Sequence, residues 1–482
     1  MASRKKRVLF VYPHVRTDPY AISKADAPVT PNLTLAALAG VVRQEGSLAA
    51  VCDLFGRLEP LKIFRETLRD FRPDLVAITF NTPQADSALE LAAEAKKFDP
   101  ALLVIGGGVH ATAIPEEVLR DSAFDILVIG EGEIPFAKLL SGEDPSSIPG
   151  VAYRRDAQVL INPPPPLISD LDTLPMPDYE CFDLPRYRVR KRLWKNAEIA
   201  GIETSRGCPY SCSYCVSNLV FGNKLRTKSS ERVLEEFERL SRLGFREVLI
   251  QDDDFTLDQD RAVRIFEGLI ARGIKLDIEL SNGVRSEKLT KEFLKTARRA
   301  GCYRIRIGIE SGSTEVLKNV EKNLDLERLR RVIFDARSFG IEVIALFVLG
   351  LPGETEETFR KTLKFAQACG ADMARLALFT PYPGSKIYEE WRAEGRLLPA
   401  SYSDYIVHQV EKPLYRHPSM SHSEIVRCYD RFYRGFYLRP GYIFRQGWSW
   451  LLRGSLPDYI LYVLGKFLIK SKRSDPPPVN CG

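Results

Sequence analysis

Residues 206–215 read RGCPYSCSYC and place Cys208, Cys212 and Cys215 at intervals of four and three residues. Iron–sulfur clusters are held by Cys thiolates, and a four-iron cluster whose irons are all bound by protein takes four of them. A structural zinc site also needs four ligands, and no second Cys pair lies near this loop. The three cysteines therefore predict a cluster with one iron left open to bind a small molecule.

The spacing Cys-x-x-x-Cys-x-x-Cys, with Tyr214 before the last cysteine, resembles the signature of the radical S-adenosylmethionine (radical SAM) enzymes. The resemblance implies a 4Fe-4S cluster on Cys208, Cys212 and Cys215. It also implies that the amino and carboxylate groups of S-adenosyl-L-methionine (SAM) chelate the open iron, and that electron transfer then cleaves SAM to a 5′-deoxyadenosyl radical. Tyr214 is accordingly a candidate cofactor-binding residue.

The composition bounds the location and the partners of this 482-residue chain, which is long enough for about three domains. A scattered net charge of +6 does not favour a nucleic-acid partner. Nine cysteines, three of them clustered, favour a reducing cytoplasm over a secreted disulfide framework. No apolar run has the length of a bilayer span. Residues 448–469 mix aromatic, aliphatic and basic side chains, so peripheral contact with the inner face of the membrane is an alternative to packing on the protein itself.

Short apolar runs alternate with amphipathic stretches over residues 1–149. Apolar strands separated by helices predict a doubly wound parallel sheet, Rossmann-like and covered on both faces. Ligands of such sheets bind at the carboxyl ends of the strands. Those ends contain Asn81, Thr82, Gly106, Gly107, Gly108, His110, Gly130 and Glu131. The first turn lacks the Gly-x-Gly-x-x-Gly fingerprint, which disfavours a nicotinamide cofactor.

Ahead of the cysteine motif, these glycine-rich ends resemble the cobalamin-binding domain of one large class of radical SAM enzymes. The resemblance implies that the eight residues just named contact cobalamin. The chain departs from the cobalamin domains that ligate cobalt through Asp-x-His-x-x-Gly, because the Asp and Gly that would flank His14 are absent. A cobalt ligand and a hydrogen-bonded loop histidine stay open as roles for His14, and a domain that has lost cobalamin is a further alternative.

The second half of the chain predicts another strand-helix series. Residues 150–196 predict a hairpin that turns at Asp156 and a proline-rich linker. Six apolar strands separated by helices over residues 197–390 predict a partial (β/α)6 barrel, the fold that the radical SAM resemblance also implies. Residues 391–482 predict a small, mostly helical C-terminal region.

The carboxyl ends of the barrel strands are where chemistry collects in barrels. By resemblance, Asp252 or Asp253 after the second strand would bind the methionine amino group of SAM. Ser281 and Asn282 after the third strand would bind its sugar or carboxylate.

Later strand ends supply the remaining candidates, which are Glu310, Gly350, Gly353 and Tyr382. Glu310 would accept hydrogen bonds from ribose hydroxyls or an ammonium, and a structural pairing with Arg304 or Arg306 is the competing interpretation. The two glycines lie in a turn that resembles the adenine-side loop of the family. Tyr382 is a candidate catalytic residue facing the substrate.

Taken with the resemblance, these features predict a cobalamin-dependent radical SAM methyltransferase that acts on an unactivated carbon of a small-molecule or lipid-like substrate. An external donor such as a flavodoxin or ferredoxin would supply the electron. A cyclase or rearrangement enzyme with the same cofactors is one alternative, because its cofactor residues would be identical. A second is an iron–sulfur electron-transfer or metal-binding protein without turnover, which leaves the acidic and glycine-rich strand ends unexplained.

Overall fold

A computed structural model describes residues 5–15, 30–156, 158–188, 194–285, 289–407, 410, 412–444 and 446. The segment 448–469, for which membrane contact is an alternative, lies outside the described residues. In the described part of the chain, no helix is both long and apolar enough to cross a membrane.

Strands and helices alternate through the N-terminal region. Its first strands are β1 (Arg7–Tyr12), β2 (Leu48–Asp53), β3 (Leu75–Thr79), β4 (Leu103–Gly107) and β5 (Ile126–Val128). Its helices are α1 (Leu33–Gln44), α2 (Pro60–Phe71), α3 (Ala85–Phe98), α4 (Val109–Ala113), α5 (Pro115–Arg120) and α6 (Glu133–Ser141). The strands pair in parallel in the order β2-β1-β3-β4-β5, which confirms the doubly wound sheet.

A hairpin extends this sheet on the β5 side. It consists of β6 (Val151–Arg155) and β7 (Gln158–Ile161), and β6 pairs antiparallel with β5. The sheet is therefore seven-stranded and mixed, whereas the sequence grouped the hairpin with the linker. The linker that follows, with the short helix α7 (Leu184–Tyr187), packs closely on α1. A side chain at Gly40 would lie 2.3 Å from the carbonyl oxygen of Met176, so this contact requires glycine.

The second region repeats the strand-helix pattern. Its strands are β8 (Ile199–Ile202), β9 (Ser205–Arg206), β10 (Arg226–Thr227), β11 (Glu247–Ile250), β12 (Asp277–Val284), β13 (Cys302–Glu310), β14 (Glu342–Leu349) and β15 (Met373–Leu378). Its helices are α8 (Ser217–Phe221), α9 (Ser230–Arg242), α10 (Gln259–Ala271), α11 (Lys291–Arg299), α12 (Thr314–Asn319), α13 (Leu326–Ser338), α14 (Glu356–Ala368), α15 (Lys386–Ala393) and α16 (His422–Tyr437). Six strands form one parallel sheet in the order β8-β11-β12-β13-β14-β15, as a partial barrel requires.

The helix α16 covers the open edge of this sheet at β15. The Tyr437 hydroxyl donates to the Ala374 carbonyl at 2.6 Å and accepts from the Ala374 N–H at 3.1 Å. Tyr433 pairs in the same way with both backbone groups of Leu376 at 3.2 Å. An uncovered edge strand would expose unpaired backbone groups, so the C-terminal region closes the sheet where a complete barrel would continue.

Candidate active site

The cysteine loop is closed at its base by a two-residue ladder. Strands β9 and β10 pair antiparallel, with Arg206 opposite Arg226. The turn that follows Arg206 needs a glycine, since Gly207 has φ +86° and a side chain there would lie 2.4 Å from the Lys224 carbonyl oxygen. The Ser213 N–H donates to the Val320 carbonyl at 3.2 Å and anchors the loop to the segment after α12.

The three predicted cluster ligands are free thiols on this one loop. Burial raises the pKa of the Cys208 thiol to about 11, and the nearby carboxylate of Asp253 acts in the same direction. Burial also raises the pKa of the Cys215 thiol, and the Asp253 carboxylate again acts in the same direction. Among the described residues, no group of three or more His, Cys, Asp or Glu side chains is placed to hold a single metal ion. In a cluster each cysteine binds a different iron, so a donor set of three free thiols on one loop fits a cluster with an open iron.

The three acids after β11 have separate roles. Asp252 is buried and accepts hydrogen bonds from the Thr204 N–H, the Thr204 hydroxyl and the Ser205 hydroxyl at 2.5–2.6 Å. Asp254 is also buried and accepts from the N–H and hydroxyl of Thr256. By contrast, the buried Oδ2 of Asp253 has no hydrogen-bond partner. Of the two predicted SAM contacts, Asp252 is therefore committed to the protein and Asp253 is available to a ligand.

Glu310 forms an ion pair at the end of β13. Its Oε1 lies 2.7 Å from the Nζ of the buried Lys322, and the Glu310 side chain itself is partly buried. The competing interpretation named Arg304 and Arg306, which instead pair with other acids of the barrel interior. Glu310 has φ +64°, a left-handed conformation that is unfavourable for a residue with a side chain and is found where the backbone is held for function. Burial raises the pKa of Tyr214 in the cysteine loop, and the charge of Glu310 acts in the same direction.

The other predicted barrel residues mainly shape the strand ends. The Ser281 hydroxyl donates to the Ile250 carbonyl at 2.8 Å. The Asn282 amide donates to the Gln251 carbonyl at 2.6 Å. Gly350 and Gly353 have φ +90° and +80°, so both positions favour glycine.

Tyr382 is partly buried and stacks on the Tyr405 ring at 6.2 Å. Its hydroxyl lies 3.5 Å from the Tyr405 carbonyl oxygen. Nothing in this arrangement tests its proposed catalytic role, which stays a prediction.

A cavity of about 420 Å³ separates the two sets of strand ends. The predicted residues that line it are Asn81, Gly106, Gly107, Gly108, Gly130, Glu131 and Asn282. A side chain at Gly107 would meet nothing closer than the Val128 carbonyl oxygen at 3.6 Å, so a Cβ could be added there without a clash. At Gly108 it would lie 2.6 Å from the Phe80 carbonyl oxygen. A glycine wall lets a flat ring system approach the backbone, which fits a corrin.

Thr82 and His110 are predicted cobalamin contacts that lie outside this lining. His110 is 1% exposed, and its Nδ1 shares a hydrogen bond with the Thr82 hydroxyl at 3.2 Å. Its ring packs edge-on against Tyr402. Burial lowers the pKa of His110 to about 4, so the ring is neutral near pH 7. His14 shares a hydrogen bond with the Ser87 hydroxyl at 2.9 Å, as the loop-histidine interpretation expects.

Sequence reasoning missed several charged residues of the cavity wall. Glu133, Glu203, Arg206 and Lys228 all line it. Glu203 directly follows β8, and Glu133 begins α6 in the same strand-end loop as Glu131, so the strand-end rule that found Glu131 could have found them as well.

Comparisons with known proteins agree with this geometry. Residues 202–366 match the Radical SAM superfamily and residues 25–140 match the B12 binding domain. An uncharacterized methyltransferase of Pyrococcus horikoshii is 31% identical over 440 residues, which are 90% of this chain and 93% of that protein. The anaerobic magnesium-protoporphyrin IX monomethyl ester cyclase of Rubrivivax gelatinosus is 27% identical over 91% of this chain and 78% of its own length.

The fold also matches a solved structure. The radical S-adenosylmethionine methyltransferase TsrM of Kitasatospora setae, solved with cobalamin and a 4Fe-4S cluster, superposes with a TM-score of 0.71. The match covers 89% of this chain and 91% of TsrM at 20% identity, so it supports the fold alone. The family assignment rests on the two domain matches and on the relative that aligns over nearly its whole length. The chain therefore belongs to the radical SAM enzymes that carry a cobalamin-binding domain, with a 4Fe-4S cluster, SAM and cobalamin as cofactors.

Proposed function

We propose that this protein is a cobalamin-dependent methyltransferase that acts on an unactivated carbon of a small-molecule or lipid-like substrate. The observation that carries the proposal is the cavity in which the glycine-rich strand ends of the first domain face the strand ends beside the cysteine loop. Methylation of such a carbon needs two reactive centres close to one atom. When bound, SAM on the cluster supplies the hydrogen-abstracting radical, and methylcobalamin supplies the methyl group.

The side chains of this protein would bind and orient these groups. Cys208, Cys212 and Cys215 would hold the cluster, and the unpartnered Oδ2 of Asp253 would accept a hydrogen bond from the methionine ammonium of SAM. An ammonium there would also satisfy a buried oxygen that the folded protein leaves without a donor.

The opposite wall would receive cobalamin. Gly106, Gly107 and Gly108 present backbone instead of side chains, and Asn81 adds an amide at the neighbouring strand end. The lining is mostly apolar, which would exclude water from a reactive radical. An apolar cavity also supports a small-molecule or lipid-like substrate.

Three further elements complete the proposal. The electron would come from an external donor such as a flavodoxin or ferredoxin, because the described residues include a single cysteine loop of this kind. The reducing conditions that such a cluster needs favour a cytoplasmic location. Contact with a membrane through residues 448–469 stays a hypothesis from the sequence.

A cyclase is the second candidate function. The similarity to the Rubrivivax cyclase favours it, since that relative aligns with 91% of this chain and its name states a different reaction. Both functions would use the same cofactor residues, so the product has to distinguish them.

The test is anaerobic purification with cobalamin and reconstituted cluster, followed by reaction with dithionite and SAM that carries a deuterated methyl group. The reaction is supplied with the small-molecule and lipid extract of the producing cells. A methyltransferase forms 5′-deoxyadenosine and a product heavier by the labelled methyl group. A cyclase forms 5′-deoxyadenosine and an unlabelled product.

Two variants control this assay. Cys212→Ala removes a cluster ligand, so we expect neither cluster absorbance nor 5′-deoxyadenosine. Cys181→Ala, in the linker, where the thiol donates a hydrogen bond to the Asp178 carbonyl, should retain both. A wild-type protein that carries the cluster but cleaves no SAM would contradict both candidate functions and favour electron transfer.

A further inference from the structure

The base of the cysteine loop carries two neighbouring arginines. Arg206 and Arg226 are paired residues of the β9–β10 ladder, and the chain between them contains all three cluster cysteines. Their side chains are only 6% exposed. Any group that fixes these two arginines therefore fixes the position of the cysteine loop.

Both arginines bind one carboxylate of the cobalamin-binding domain. The Arg206 Nη1 donates to Glu131 Oε1 at 2.9 Å, and the Arg226 Nη1 donates to Glu131 Oε2 at 2.8 Å. The N–H of Ile168 in the linker donates to the same carboxylate at 2.8 Å. Glu131 thus joins the first domain, the linker and the barrel at a side chain that is 1% exposed.

Arg206 makes two further ion pairs. Its Nη2 lies 2.5 Å from Glu133 of the first domain, and its Nε lies 2.7 Å from Glu203 at the end of β8. The Nη1, Nη2 and Nε atoms of the planar Arg206 guanidinium therefore all pair with carboxylates. This geometry fixes the orientation of the side chain as well as its distance from the three acids.

The surrounding charges balance. Lys228, which acts electrostatically on Glu133 and Glu203, pairs with Glu236 at 2.9 Å, and Arg232 pairs with that same acid at 3.0 Å. Buried ion pairs add little stability compared with apolar packing, because desolvation of the charges offsets their attraction. The fixed orientation that these ion pairs impose therefore explains their presence better than the stability that they add.

We propose that Arg206, Arg226, Glu131 and Glu133 are positioning residues that hold the cysteine loop against the cobalamin-binding domain and so set the separation of the cluster and cobalamin. The inference rests on the proposed function only in requiring that both cofactors are bound. It does not depend on which reaction follows, so failure of methyl transfer leaves it testable.

The test measures the separation directly. Cob(II)alamin and the one-electron-reduced cluster are both paramagnetic, so pulsed electron paramagnetic resonance on the holoenzyme gives the distribution of distances between them. The wild type should give one narrow distance. The double variant Glu131→Gln/Arg226→Gln removes both charges of one pair and leaves neither partner uncompensated, and we expect it to lose the single narrow distance.

The matched control is Arg392→Gln. It breaks an ion pair with Glu117 that also joins the two regions but is solvent-exposed, with side chains 51% and 36% accessible. This variant should keep the wild-type distribution. If the double variant fails to take up both cofactors, Arg226→Lys is compared with the wild type in its place. This variant keeps the positive charge but lacks the planar guanidinium. An unchanged narrow distance in the variant tested, at full occupancy of both cofactors, would overturn the proposal.

Discussion

Glu354 is a buried carboxyl group in the loop that joins β14 to α14. Its Oε2 accepts a hydrogen bond from the Gly350 N–H at 2.5 Å, while its Oε1 is buried without a hydrogen-bond partner. Burial raises the pKa of Glu354 to about 7, and the backbone donors of Gly350 and Leu351 offset only part of this effect. Gly350 and Gly353 of this loop are the predicted adenine-side residues, and whether they bind SAM stays a prediction.

The raised pKa makes the stability of the protein depend on pH. The ordinary pKa of 4.5 is about 2.5 lower, and one pKa unit corresponds to about 1.36 kcal/mol, so the full effect is about 3 kcal/mol. Between these two values the unfolded chain releases the proton and the folded chain keeps it. The free energy of unfolding therefore falls as the pH rises through this window, by about 2.5 kcal/mol between about pH 5 and about pH 8.

Glu354→Gln removes the titration and keeps the shape of the side chain. The measurement is urea unfolding of the cofactor-free wild type and variant over this pH range. The wild-type value minus the variant value should fall by about 2.5 kcal/mol, because other titrating groups cancel in the difference. For Glu356→Gln the same difference should stay nearly constant over this range, since ion pairs with Arg431 and Arg360 lower the pKa of that exposed acid from 4.5 and it is ionised in both the folded and the unfolded chain. A Glu354 difference that is constant with pH would refute the reasoning.

Two further predictions concern the cofactor sites. Asp253→Asn should weaken SAM binding to the cluster-loaded protein, measured by equilibrium dialysis, with little loss of stability. Asp252→Asn should instead lower the unfolding midpoint, because Asp252 accepts three buried hydrogen bonds. Equal stability losses in the two variants would contradict this division. Gly107→Leu should fill open space in the cavity and weaken cobalamin uptake, followed by absorbance titration, while the protein stays folded. Gly108→Ala should destabilise the protein, since Gly108 has φ +102° and an added Cβ would contact the Phe80 backbone. If the Gly107→Leu protein binds cobalamin with wild-type affinity, cobalamin must bind elsewhere.

Features with a local signal were predictable from the sequence. Most parallel strands of the two sheets are apolar runs that alternate with helices, and that pattern needs no knowledge of distant residues. The cysteine spacing and the glycine-rich strand ends are likewise contiguous in the chain. The parallel arrangement then brings those ends to common edges, which is why Asn81, Gly106 and Gly130 line one cavity.

Features that depend on distant partners were not predictable in this way. Glu131 bonds to Arg226, which lies 95 residues further along the chain, and nothing local marks either residue as a member of a pair. The hairpin of β6 and β7 has the same strand signal whether it pairs with a sheet or stands alone in a linker. Its assignment depended on the free edge of β5, a property of the assembled sheet.

The acid run after β11 lies between these cases. Its position at a strand end was evident from the sequence, but Asp253 lies at a bend beyond the strand, so no two-residue period assigns the three side chains to sides. The buried pair turns toward hydrogen-bond donors of the protein, and the middle acid keeps an oxygen without a donor. The acid run alone therefore could not separate Asp253 from Asp252 as the ligand candidate. That separation depends on the donors of Thr204 and Ser205, which lie 48 and 47 residues away in the chain and engage Asp252.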